Sequence, residues 1–125
     1  TILSRKPNQV VAYHRIDAPL ISNRDYTLTI TSALNSKEGH FFRHWITTND
    51  EGPAPKKDFV RVTICEGSWT LEKMGPKKTR LRYWVHTHPG GSIPNWIVNK
   101  ANSVSLPTLF SAIENRANDP SWKRD

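Results

Sequence analysis

Apolar and polar positions alternate with a period of two over roughly the first 90 residues, then switch to a helical period. QVVAYHRID (residues 9–17) is rich in β-branched and aromatic side chains and reads as a strand closed by Ala18 and Pro19. RDYTLTITSA (24–33) puts Tyr26, Leu28 and Ile30 on one face and Thr27, Thr29 and Thr31 on the other, as in a half-buried antiparallel strand. A turn through Asn35, Ser36, Lys37 and Gly39 leads into HFFRHWITT (40–48), a third strand, followed by the polar, Pro-containing loop NDEGPAPKKD.

FVRVTICE (59–66) and SWTLEKM (68–74) are the next two strand-like runs, with Gly67 expected as a bulge or bend where a Cβ would be in the way. GPKK makes a turn before TRLRYWVHTH (79–88). There Leu81, Tyr83, Val85 and Thr87 share one face, while Arg80, Arg82, Trp84, His86 and His88 share a solvated one. Pro89, Gly90 and Gly91 stop that strand, Ser92 is placed to cap a helix, and Pro94 is tolerated in its first turn. Ile97, Ala101, Val104, Leu106, Leu109, Phe110 and Ile113 then form a stripe at helical spacing to about Ala117, with Pro107 expected to kink it. The prediction is α+β: five or six antiparallel strands within about 9–88, then one long helix over about 93–117, in a single domain spanning 1–125.

Composition supports a folded chain. Five Trp, four Phe and three Tyr in 125 residues exceed what a disordered segment carries. One cysteine, Cys65, excludes an internal disulfide, and no apolar run approaches a membrane span, so a reducing, cytoplasmic setting is expected. The chain opens on Thr1, which suggests processing or a fragment of a longer polypeptide. Its net charge is +7, and its basic residues are dispersed, among them Lys56, Lys57, Lys77, Lys78, Arg80, Arg82, Lys123 and Arg124. No nucleic-acid signature accompanies it, and nucleic acid is not expected as a partner. The cluster at 77–82 suits transient contact with an anionic membrane surface.

Chemistry-bearing residues are few. His86 and His88 point to one side of a strand, but no third ligand is placed beside them, since His14, His40 and His44 lie on other elements; neither metal nor cofactor is expected. By strand parity the face of Tyr26 and Tyr83 holds no Asp, Glu or His, Cys65 reads as a buried small hydrophobe on the face of Phe59 to Thr63, and Asp25 reads as a structural or turn residue beside Arg24. No catalytic residue is assigned, and the chain is read as not an enzyme.

The ordered set RDY (24–26), WTL (69–71), Tyr83 and PGGSIPNW (89–96) resembles a bacterial START domain over its C-terminal two-thirds. The resemblance implies the helix-grip fold, a curved antiparallel sheet wrapping a long C-terminal helix around a cavity for a lipid or other apolar small molecule. It implies a cavity wall of Tyr26, Leu28, Ile30, Trp69, Leu71, Leu81, Tyr83 and Val85, with Ile97, Val98, Ala101 and Val104 as the helix side. The function implied is lipid binding or intermembrane lipid transport. An aromatase/cyclase-like enzyme of the same superfamily and a ligand-sensing regulatory module are the alternatives. Where cholesterol-binding members carry a buried Arg, this chain has Ile30, which argues against a hydroxysterol. Family domains are also longer, so either a homodimer or pairing with a separate N-terminal segment is expected to complete the sheet.

Overall fold

The computed structural model describes residues 1–17 and 21–122. The predicted breaker at Ala18 and Pro19 and the basic pair Lys123 and Arg124 lie outside the described residues. Seven strands are present: β1 (Ile2–Lys6), β2 (Gln9–Ile16), β3 (Asn23–Asn35), β4 (His40–Thr47), β5 (Phe59–Arg61), β6 (Ile64–Gly75) and β7 (Lys78–His88). They form one sheet in the order β1-β2-β3-β4-β6-β7, antiparallel throughout, with β5 added alongside β3 in parallel. β3 has 13 residues, longer than any one neighbour on its second edge. There β4 pairs with Leu28 to Asn35, and β5 takes over at Asn23 to Asp25.

Three local expectations change. β1 was not foreseen, because ILSRK alternates weakly and every residue in it is exposed. The fourth and fifth runs are cut elsewhere than at Gly67: the chain leaves the sheet at Val62 and Thr63, and β6 runs straight through Gly67. A Cβ on Gly67 would strike both the Trp45 ring, which lies across from it, and the Trp84 carbonyl oxygen. The glycine is required for close approach rather than for a bend.

The helix α1 (Asn95–Asn118) matches the predicted span to within two residues at its start, and it continues through Pro107. Its N-cap is Pro94, not Ser92, and the Pro94 carbonyl accepts from the amides of Ile97 and Val98. α1 belongs to a second compact unit, Ser92–Asp125, distinct from the sheet unit Thr1–Gly91. None of its residues is buried. Within that unit the Arg116 guanidinium sits 3.6 Å from the Trp122 ring centroid. Among the described residues no helix is long and apolar enough to cross a membrane.

The sheet's core is small: Val11, Ala12, Tyr13, Leu28, Val62 and Cys65 are the buried apolar residues. Leu28, Val62 and Cys65 make one cluster, with Tyr26, Ile30 and Trp45 packed against it.

Candidate functional site

Strand register decides which side chains share a face, because partners directly across a ladder point the same way. Leu28 pairs with Thr47 and Ile30 with Trp45; Phe41 pairs with Leu71, Arg43 with Trp69 and Trp45 with Gly67. Trp69 pairs with Tyr83, Leu71 with Leu81 and Gly67 with Val85. Every predicted sheet residue (Tyr26, Leu28, Ile30, Trp69, Leu71, Leu81, Tyr83 and Val85) therefore lies on one face. The expected helix residues Ile97, Val98, Ala101 and Val104 lie in the first three turns of α1; Ile97 and Val98 are half-buried, and Ala101 and Val104 are exposed.

An aromatic row crosses this face. Trp45 stacks on Tyr83 with ring centroids 5.9 Å apart, and Tyr83 meets Trp69 at 4.4 Å. Trp45, Trp69, Tyr83, Leu71 and Leu81 are only half-buried, and Val85 is exposed. Burial pushes the Tyr26 hydroxyl up to about 12, with smaller contributions from Cys65 and Tyr83. Cys65 lies on the same face, held by Thr47 Oγ1, which accepts from its amide at 2.7 Å. The break at Val62 and Thr63 resets the parity that had put Cys65 with Phe59.

The parity reading also missed a histidine. His14 pairs with Tyr26, so it stands on the aromatic face, and the two rings stack at 5.2 Å and 13°. Its Nε2 is buried and has no hydrogen-bond partner. Burial, and then the Thr1 ammonium, lower its pKa, so the imidazole is held neutral. Parity within β3 carries no information about β2; only the ladder between them does.

The opposite face of β3 is covered, and Thr27 Oγ1 is buried there without a hydrogen-bond partner. Asp25 and Thr27 are fully buried, and Thr29 nearly so, where a solvated threonine face had been expected. The loop after β4 folds over them. Asn49 Oδ1 accepts from the Thr27 amide at 2.8 Å, Asn49 Nδ2 donates to the Val62 carbonyl at 2.8 Å, and Gly52 sits on the Thr27 side chain. Asp25 is not paired with Arg24. Arg61 clamps it with two bonds of 2.7 and 3.0 Å, and Tyr13 donates to it at 2.8 Å. These bonds, led by that from Arg61, hold the Asp25 carboxyl below the usual carboxylate range despite its burial. Arg24 instead donates to the carbonyls of Ser22, Pro89 and Gly90, tying β3 to the Pro-Gly-Gly segment. Gly90 and Gly91, both at positive φ, let that segment turn there.

On the outer side of β7, Trp84, His86 and His88 are exposed as expected. His86 Nδ1 lies 3.1 Å from Glu66, and Arg80 and Arg82 share Glu72 at 3.3 and 3.7 Å.

An antiparallel sheet followed by one long helix has the element order of the helix-grip class. Comparison with known proteins narrows the class. No family model matches the chain. It is 31% identical over 120 residues to an uncharacterized protein of Pseudomonas aeruginosa, covering 92% of this chain and 58% of that one. It is 27% identical over 119 residues to human START domain-containing protein 10 (94% and 40%), and 30% identical over 105 residues to rat phosphatidylcholine transfer protein (82% and 49%). The chain thus spans about half the length of the curated relatives it matches. Among solved structures, the STAR-related lipid transfer protein fragment of Xanthomonas axonopodis superposes with TM-score 0.65 at 27% identity, covering 81% of this chain and 56% of that one. Human STARD10 superposes with TM-score 0.72 at 23% identity (89% and 45%) and shows the same fold. The named relatives and solved structures it matches are START-domain and lipid-transfer proteins, and the chain is similar to that family.

Proposed function

We propose that the chain binds a lipid or other apolar small molecule against the face of Tyr26, Ile30, Trp69, Tyr83 and their neighbours, and carries it without chemical change. The observation that supports this most is the half-buried aromatic row set in one register with the whole predicted wall. An apolar surface left in contact with water gains about 25 cal/mol per Å² when a ligand covers it. The relatives' names point to lipid transfer, and the reading takes that activity as this chain's own. It places the protein in the cytoplasm, where the buried thiol of Cys65 stays reduced. Transient docking on anionic membranes falls to Lys77 and Lys78, because Arg80 and Arg82 are engaged with Glu72. β7 pairs only with β6 among the described residues, and its second edge is where a further copy or a separate segment would add a strand.

Native mass spectrometry of the purified chain, followed by solvent extraction, tests the reading. A bound apolar mass that extracts as lipid is expected. A chain that stays empty after incubation with a mixed lipid extract would refute it.

A further inference from the structure

A concavity of the sheet unit lies at the turn between β1 and β2, a groove of about 630 Å³. Its floor is apolar, made by Val10 and Ile30, and its rim is cationic, made by Arg5, Lys6 and Arg43. No carboxylate lines it, and none of the three cations is ion-paired among the described residues. The walls are held in place: the Ser32 amide donates to the Asn8 carbonyl at 2.9 Å, pinning the turn to β3. Arg43 is oriented by its Nε, which donates to Ser32 Oγ at 3.0 Å, and by the Phe41 ring 5.5 Å from its guanidinium carbon. Its two terminal nitrogens are left for a further acceptor, and a planar guanidinium suits phosphate oxygens.

We infer that this groove is the headgroup site for a phosphate-headed lipid of net negative charge. The inference rests on the lipid-binding reading above and narrows its ligand. Two features choose the occupant. Ile30 belongs both to the groove floor and to the aromatic face, where it pairs with Trp45, so an anionic end and an apolar tail meet one continuous surface. The second is charge: the groove offers no carboxylate and no unoccupied aromatic ring to a quaternary ammonium, so a zwitterionic choline headgroup gains nothing from its cation there.

Calorimetric titration of the full chain with soluble short-chain lipids tests this. Dihexanoyl phosphatidylglycerol should bind about tenfold more tightly than dihexanoyl phosphatidylcholine, a step of the size two partly exposed cations supply. The double variant Arg5→Gln/Arg43→Gln, altered at two exposed positions, should lose that preference, so that the two lipids bind about equally. Equal affinities in the unaltered chain, or a preference that survives the double variant, would overturn the headgroup site and leave the lipid reading standing. Binding of neither lipid would defeat both. If glycerol phosphate displaced the lipid at the lipid's own affinity, the site would be one for free phosphate, and the inference would fail on that ground.

Discussion

The two faces of β3 differ in how far they are covered, although each keeps one buried side-chain atom without a partner, Thr27 Oγ1 on one and His14 Nε2 on the other. On one, Asp25 is enclosed by Arg61 and Tyr13, and the Thr27 backbone is matched by Asn49 and Thr48. On the other, His14 keeps a buried nitrogen without a partner, beside aromatic rings that are only half covered. A face closed over by its own loop has little surface left to offer a ligand and serves stability. The second face leaves its aromatic row only half covered.

The largest effect should come from breaking the covered face. Asp25→Ala leaves a largely buried guanidinium and a buried phenol unpaired, at a cost of about 3 kcal/mol read from the urea midpoint. A loss under about 1 kcal/mol would mean that the network is not structural. Gly67→Ala comes next: the added methyl meets Trp45 and the Trp84 carbonyl, and about 2 kcal/mol should be lost together with near-ultraviolet signal from the Trp45–Tyr83 stack. Unchanged stability would show that Trp45 can move aside.

Trp69→Leu sharpens the contrast, because a half-buried ring on the receiving face should matter more to a ligand than to folding. Stability should fall by about 1 kcal/mol while lipid affinity drops about tenfold. The reverse ranking would make the row ordinary core.

The smallest effect concerns acid. His14 has a lowered pKa in the folded chain, so the unfolded chain binds the extra proton first, and stability declines as pH falls below about 6.5 toward the folded value. Asp25, also lowered, adds a second decline only as pH falls below about 4 and through its folded value. His14→Phe should abolish the upper step and spare the lower one. Persistence of the upper step in that variant would assign it to another group.

Much of this was legible in the sequence because it is local. Period-two alternation located most of the strands, the helical stripe located α1 to within two residues, and parity grouped along each strand the side chains that share one face of the sheet. What stayed hidden depends on partners far along the chain. His14 joins Tyr26 only through the β2–β3 ladder, Asp25 meets Arg61 only because β5 returns beside β3, and the threonine face is buried only because Asn49 and Gly52 fold back on it. Gly67 was understood for the right steric reason and given the wrong consequence, since the bulky neighbour is a cross-strand ring that no local pattern reveals.

The contrast between faces can be measured directly with lipids brominated along the acyl chain, which quench tryptophan on contact. Two variants are compared, one retaining only Trp45 and Trp69, the other only Trp84, which stands on the outer side of β7. The account predicts strong, saturable quenching in the first and little in the second. Equal quenching in both, or quenching confined to Trp84, would contradict it.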